Sequence, residues 1–210
     1  MLEGIEINCH SSIKISKNKT IYIDPFKIEK ESHDADLILI THSHYDHFSE
    51  EDITKIKNNN TIILATYDLE GKTLNLGFEE AKIIFVKPNE RFEIDNIEIK
   101  TIPAYNINKA FHPKENNWVG YLIKMQDIAY YIAGDTDITD ENKNVNCDIA
   151  FLPIGGTYTL DILEAVELAK IIKPKIVIPM HYGEIVGEKE AGIKFKEKIY
   201  PKINCEILIK

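Results

Sequence analysis

The residues best suited to chemistry in this sequence form a six-residue stretch with four side chains that can bind a metal ion. They are His42, His44, Asp46 and His47. An apolar run at 37–41 precedes them and Ser49 follows, which predicts a buried strand, a tight loop and the start of a helix. Neutral imidazoles and a carboxylate suit Zn²⁺, and also Mn²⁺ or Fe²⁺. The chain has seven histidines in 210 residues, so three within six positions indicate a metal site.

Other polar residues stand in the same place, directly after a predicted strand. Asp24, Asp135 and His181 each follow an apolar run of strand length. Catalytic side chains commonly lie on loops at the strand ends of a rigid sheet. If these strand ends converge on one rim, the polar side chains meet there, and we expect a single site built from several strands.

Composition narrows the functional classes. A net charge of −9 argues against non-specific binding to nucleic acids or anionic membranes. The three cysteines, at positions 9, 147 and 205, form no metal or disulfide pattern and predict a reducing compartment. No apolar run approaches the ~18 residues of a transmembrane helix. We therefore expect a soluble cytoplasmic protein with no nucleic-acid or membrane partner.

Hydrophobic periodicity predicts many short strands and a few helices. The predicted strands cover 4–8, 12–16, 20–23, 37–41, 61–65, 82–86, 91–94, 97–102, 119–125, 128–132, 148–152, 175–179 and 205–209. The predicted helices begin at Ser49, at Tyr67, at Thr159 or Asp161, and near Glu188. At 44% hydrophobic residues the chain can form a sizeable core, and no linker divides it. We expect one domain over 1–210, with two packed sheets and helices outside. The last strand leaves a homo-oligomer open, because it could pair with a second chain.

Four motifs together resemble the metallo-β-lactamase superfamily of metal-dependent hydrolases. They are the HxHxDH cluster, Ile23-Asp24-Pro25, Ala133-Gly134-Asp135-Thr136 and Pro179-Met180-His181-Tyr182-Gly183. With His10-Ser11-Ser12 near the start, the chain is most similar to the small branch typified by ascorbate-6-phosphate lactonases. The resemblance implies an α/β fold of class αββα, a four-layer sandwich of two mixed β-sheets with outer helices.

The resemblance also implies a binuclear centre, with two Zn²⁺ ions per chain or Mn²⁺ or Fe²⁺ in their place. His42 and His44 match ligands of the first ion, while Asp46 and His47 match ligands of the second. Asp135 matches the carboxylate that bridges the ions, and His181 the last ligand of the second. Asp24 matches a carboxylate that orients a ligand or the loop. The role of His10 stays open between substrate contact, support of the metal site and a satisfied strand residue.

One ligand position departs from the family pattern. The third ligand of the first ion is expected to be a histidine just after the strand near Ile102, but Asn106 stands there. His112, six residues later, is the alternative and the one that we favour. Either the loop brings His112 to the ion, or Asn106 leaves the first site weakly held.

The implied activity is hydrolysis of a small ester, lactone or phosphoester by a metal-bridged hydroxide. Asp46 and Asp135 are the candidate catalytic carboxylates. Tyr158, Tyr182 and Lys109 are candidates for binding an oxyanion or a phosphate. The alternatives are an RNA-processing nuclease of the same fold and a non-catalytic metal or ligand sensor. A diiron electron-transfer protein is disfavoured, because it would usually carry a glutamate at position 44.

Overall fold

The computed structural model describes residues 1–209, in which Met1–Val86 and Lys87–Leu208 form two compact units. We call them the N-terminal unit and the C-terminal unit. Each is built around one β-sheet that contains both parallel and antiparallel pairs. No helix in this described part of the chain is long and apolar enough to cross a membrane. One domain over residues 1–210 stays a prediction.

The N-terminal unit contains a six-stranded sheet in which the strands stand in chain order. They are β1 (Ile5–Ile7), β2 (Ile13–Ser16), β3 (Thr20–Ile23), β4 (Leu37–Leu39), β5 (Ile62–Thr66) and β6 (Ile83–Val86). The pairs from β1 to β3 are antiparallel, and those from β3 to β6 are parallel. Because parallel neighbours end at the same edge, the residues that follow β3 and β4 are brought side by side.

Two helices, α1 (Glu50–Ile56) and α2 (Glu70–Asn75), complete this unit. The predicted helix start is confirmed, since the Ser49 side chain accepts the Asp52 backbone N–H and Ile53 and Ile56 are buried. The spacing of Ser49 and Asp52 in the sequence predicts a capping box, but only half of it is formed. The Asp52 carboxylate turns away and accepts the backbone N–H groups of Lys27 and Ile28, at 2.7 and 2.9 Å. It thereby fastens the loop after β3 to α1.

The C-terminal unit contains a seven-stranded sheet of order β13-β12-β11-β10-β9-β8-β7. The strands are β7 (Arg91–Ile94), β8 (Ile97–Pro103), β9 (Val119–Met125), β10 (Ile128–Ile132), β11 (Ile149–Pro153), β12 (Ile176–Met180) and β13 (Asn204–Cys205). The pairs from β7 to β10 are antiparallel, and those from β10 to β13 are parallel. The residues that follow β10, β11 and β12 therefore share one edge. The predicted closing strand 205–209 is shortened, because the ladder of β13 reaches only Ile176 and Val177 of β12.

Helices α3 (Ile162–Ile172) and α4 (Ala191–Ile199) belong to the C-terminal unit. Of the two predicted starts for α3, Asp161 is the N-cap, and it forms a complete capping box with Glu164. The sequence repeats apolar residues at the helical period of 3.6, and the predicted apolar stripe is confirmed at Ala165, Val166 and Ala169, which are buried. This local agreement between cap, periodicity and burial fixes the helix after β11.

Candidate metal centre

The HxHxDH motif lies in the loop between β4 and α1, and its side chains separate into two groups. His42 Nε2 lies 3.0 Å from His44 Nδ1, and His47 Nε2 lies 3.5 Å from Asp46 Oδ2. The backbone N–H groups of His47 and Phe48 both donate to the His44 carbonyl, at 3.0 and 2.9 Å. This tight turn brings together four potential ligands from six consecutive residues, in the two pairs that the family resemblance implies.

Asp24, just after β3, braces this loop from the neighbouring strand. Its Oδ1 accepts the Thr41 N–H at 2.8 Å, and its Oδ2 lies 2.7 Å from both Thr41 Oγ1 and His47 Nδ1. A carboxylate only accepts hydrogen bonds, so His47 carries its proton on Nδ1 and presents the lone pair of Nε2. Burial raises the pKa of Asp24, and the hydrogen bonds from His47 and Thr41 oppose that rise.

His10 is a buried neighbour to which the sequence assigned no definite role. It follows β1, has no exposed surface, and places Nε2 3.2 Å from Asp46 Oδ2. Its backbone is left-handed, with φ at 52°, as are those of Asp24 at 46° and His181 at 57°. Such conformations are uncommon outside glycine and concentrate at functional sites. The only sequence signal for His10 is its position after a predicted strand, in a motif shared with the family.

In the C-terminal unit, Asp135 lies between two histidines. Its Oδ2 is 3.1 Å from His112 Nε2 and 3.0 Å from His181 Nε2. Asp135 follows β10 and His181 follows β12, and both strands pair with β11 in parallel. The shared edge of these strands explains why residues 46 positions apart in the sequence meet.

The structure brings His112, and not Asn106, beside Asp135. The Asn106 side chain is fully engaged: Oδ1 accepts the His112 N–H at 3.0 Å, and Nδ2 donates to Asp137 and to the Tyr158 carbonyl. His112 Nδ1 lies 3.1 Å from both Asn106 Oδ1 and the Tyr158 carbonyl. Both are acceptors, so Nδ1 carries the proton and Nε2 faces Asp135 with its lone pair. Asn106 stands where the family pattern has a histidine, and its side chain supports His112 instead.

These contacts fit a bound cation. A neutral imidazole nitrogen and a carboxylate oxygen both carry lone pairs, and they repel each other at about 3 Å unless a proton or a metal ion lies between them. This arrangement recurs for His47 with Asp46 and for His112 with Asp135, and all four residues are buried. A donor set of imidazoles and carboxylates suits Zn²⁺, Mn²⁺ and Fe²⁺. The residues present thus fit the divalent metals that the sequence predicts.

Of the three candidates for anion binding, Lys109 and Tyr182 have their side-chain polar groups paired or buried within the C-terminal unit. Lys109 Nζ lies 2.5 Å from Asp137 Oδ1 and 3.5 Å from a Glu164 carboxylate oxygen. Tyr158 supports His112 through its backbone carbonyl and packs its ring edge-on against Phe111, so its hydroxyl remains a candidate. Tyr182 is 2% exposed, and burial raises the pKa of its hydroxyl to about 12. Its side chain packs against Gly192 in α4, so it anchors the segment after β12 and does not present its hydroxyl to solvent.

The contact between Tyr182 and Gly192 yields a stability prediction. A Cβ at Gly192 would lie 2.3 Å from the Tyr182 hydroxyl oxygen and 2.8 Å from Cζ. We expect Gly192→Ala to destabilise the protein by a net of about 1–3 kcal/mol. The overpacking outweighs the roughly 1 kcal/mol by which alanine is preferred to glycine in a helix. The measurement is the free energy of unfolding in urea.

Two matched variants test the cause. Gly71→Ala in α2 meets no atom within 4 Å and is expected to be neutral or stabilising. Adding Tyr182→Phe to Gly192→Ala removes the closest atom and is expected to restore part of the loss. A Gly192→Ala protein as stable as the wild type would contradict the contact.

The sequence of this chain matches a known protein family. The model of the beta-lactamase superfamily domain matches residues 5–181. A UPF0173 metal-dependent hydrolase of Pyrococcus horikoshii is 32% identical, over 95% of this chain and 93% of its own. Another from Thermoplasma acidophilum is 35% identical, over 83% of this chain and 80% of its own.

Solved structures show the same fold. A provisionally named metal-dependent hydrolase from Parabacteroides distasonis is 29% identical, with a TM-score of 0.82 over 98% of this chain and 93% of its own. Igni18, a metallo hydrolase from Ignicoccus hospitalis, is 23% identical, with a TM-score of 0.80 over 98% of this chain and 94% of its own. These likenesses confirm the predicted fold class. By sequence and by fold, this chain belongs to the beta-lactamase superfamily, among the UPF0173 metal-dependent hydrolases.

Proposed function

We propose that this metal-dependent hydrolase uses two metal ions, with zinc as the native metal, to cleave a small ester, lactone or phosphoester. The observation that carries the proposal is the repeated pairing of a buried imidazole Nε2 with a carboxylate oxygen, at 3.0 to 3.5 Å. Such pairing occurs in both units, which supports a centre of more than one ion. Membership of a metal-dependent hydrolase family supports the reaction class.

The proposed ligands follow the family pattern. For the first ion they are His42, His44 and His112; for the second, Asp46, His47 and His181; and Asp135 bridges. Two features support these roles. Asp24 sets the tautomer of His47, and Asn106 and the Tyr158 carbonyl set that of His112. Partners of this kind orient metal-binding imidazoles and raise their basicity.

Two bound divalent ions lower the pKa of a water molecule toward neutrality and polarise the substrate oxygen. The chain's own part is to fix the donors and to accept a proton, for which Asp46 and Asp135 are the proposed groups. Neither Cys147 nor Cys205 suits a covalent nucleophile, because burial raises the pKa of Cys147 to about 12 and that of Cys205 to about 11. A thiolate is the nucleophilic form, and these thiols stay protonated at neutral pH.

Metal removal tests this function. The protein is stripped with a chelator, reloaded with Zn²⁺, Mn²⁺ or Fe²⁺, and assayed on an aryl ester, a lactone and an aryl phosphodiester. We expect two equivalents of metal per chain, loss of hydrolysis to background on stripping, and recovery on reloading. Hydrolysis that survives complete stripping would contradict metal dependence. Full loading without hydrolysis of any of the three classes would contradict the enzyme proposal and favour a sensor.

A further inference from the structure

We propose that His10 is an additional ligand of the metal ion that Asp46 and His47 bind. This inference rests on the proposed two-metal function and adds one imidazole to its seven ligands. It concerns the N-terminal unit alone, where His10, Asp46 and His47 place one potential ligand atom each within 4.8 Å of the others.

The distances carry the inference. His10 Nε2 lies 3.2 Å from Asp46 Oδ2, and His47 Nε2 lies 3.5 Å from the same oxygen. Ligand atoms with bonds of about 2.0–2.1 Å to one zinc ion lie about 2.9 Å apart at a right angle and about 3.4 Å apart at a tetrahedral angle. The two observed separations are close to this spacing of atoms that share an ion. The distance between His10 and Asp46 is also within reach of a direct N–H···O hydrogen bond, so the experiment must separate the two roles.

The backbone around His10 holds the imidazole in place before any ion binds. His10 adopts a left-handed conformation, which costs of order 1 kcal/mol or more for a non-glycine residue and persists only where the surroundings enforce it. The turn is closed by the Ser12 N–H donating to the Cys9 carbonyl at 2.8 Å. Strain at a buried imidazole is expected where the side chain must point in one direction.

The same turn is tied to the loop after β3. Asn8 Nδ2 donates to the carbonyls of Phe26 and Lys27, at 2.7 and 2.8 Å, and the Phe26 N–H donates to Ser12 Oγ at 3.1 Å. Asp52 fixes that loop in turn through the Lys27 N–H. His10 is thus mounted on a braced segment, which is what a preorganised ligand requires.

A competing role for His10 is that of a hydrogen-bond donor that orients Asp46. The two roles separate in a His10→Gln variant. The glutamine amide can still donate a hydrogen bond, but it is a poor ligand for zinc compared with an imidazole. A positioning role therefore survives the substitution, while a ligand role is lost.

The experiment is a titration of the metal-free protein with Zn²⁺ and, separately, with Co²⁺. Calorimetry measures the affinity of each equivalent, and visible absorption reports the coordination of Co²⁺. For His10→Gln we expect the first equivalent to bind as in the wild type. The second is expected to bind about 100-fold more weakly or worse, beyond the usual loss for a supporting residue, and the Co²⁺ spectrum of that site is expected to change. His33→Gln is the matched control, because His33 is exposed in the same unit. It is expected to bind both equivalents normally.

A loss of less than about tenfold for the second equivalent, with an unchanged Co²⁺ spectrum, would overturn the assignment of His10. A wild-type protein that binds fewer than two ions would instead overturn the proposed function, so the two failures are distinct. If His10→Gln does not fold, proton NMR of the wild-type protein loaded with Co²⁺ provides the test. We expect six hyperfine-shifted imidazole N–H signals if His10 is a ligand; five would contradict it.

Discussion

Replacing Asp135 with asparagine is expected to lower kcat/KM by about 10³-fold on any substrate that the metal-loaded enzyme hydrolyses. The Asp135 Oδ2 lies 3.1 Å from His112 and 3.0 Å from His181, so one oxygen is shared by two potential ligands. Asparagine keeps the shape but removes the negative charge that offsets two divalent cations. Metal ions contribute several kcal/mol to stabilising the transition state, and about 4 kcal/mol corresponds to the expected factor. The measurement is steady-state kinetics together with the metal content of the variant.

Asp148→Asn is the matched control for this variant. Asp148 precedes β11, at the opposite end of the sheet that carries Asp135, and it accepts the Ala129 N–H at 2.9 Å and pairs with Lys175 at 2.7 Å. The same chemical change there removes a partly exposed ion pair, for which a loss below about 1 kcal/mol of stability is expected. Activity is expected to stay within about twofold. An Asp135→Asn enzyme that keeps near-normal kcat/KM would contradict the bridging role.

The positions of the strand-end residues could be predicted from the sequence because a simple rule connects them. Apolar runs of strand length marked β3, β4, β10 and β12, and the polar residue after each run was visible. Parallel pairing of β3 with β4, and of β10 and β12 with β11, then brings these ends to one edge of each sheet. The rule needs only the period of the strands and the direction of their pairing, and both are encoded locally.

The conformation of the loop after β8 could not be predicted in the same way. Asn106 and His112 were both open as ligands, since spacing alone does not tell which side chain faces Asp135. The choice depends on contacts distant in sequence, from Asn106 to Asp137 and to the Tyr158 carbonyl. Lys109 likewise pairs with Asp137, although its sequence position suited an anion site equally well. Loops without a period leave such choices to tertiary contacts.

The left-handed backbone conformation of three site residues is a second feature that could not be predicted from the sequence. His10, Asp24 and His181 all have positive φ, and none of them is a glycine that would have signalled it. The Asp52 side chain is another case, because the capping-box pattern predicts a local bond but the carboxylate binds the loop 25–28 instead. For Asp52, a tertiary contact overrides a local preference. Such overrides are expected where a site must be held rigid.

Asp24→Asn is expected to weaken metal binding at the Asp46–His47 site by about 10–100-fold while the protein stays folded. The Thr41 N–H donates to Asp24 Oδ1, so it will hold the asparagine carbonyl at that position and turn the amide NH₂ toward His47 Nδ1. His47 then accepts at Nδ1 and carries its proton on Nε2. A protonated Nε2 cannot bind a metal ion, so the variant must lose affinity unless the ring flips or the asparagine turns. Loss of function by a forced tautomer is known for a carboxylate-to-amide change beside a catalytic histidine.

Two measurements separate this mechanism from simple destabilisation. Zinc titration gives the affinity, and ¹⁵N shifts of the His47 ring report which nitrogen is protonated in the stripped protein. The matched control is Asp36→Asn at the other end of the β3–β4 pair, where the carboxylate accepts the Thr20 N–H at 2.8 Å and pairs with Lys19 at 3.0 Å. We expect normal metal affinity there, because no imidazole depends on Asp36. If Asp24→Asn binds zinc as tightly as the wild type with His47 still protonated on Nδ1, then Asp24 does not set the tautomer. The hydrogen bond between Asp24 and His47 would then serve the stability of the loop alone.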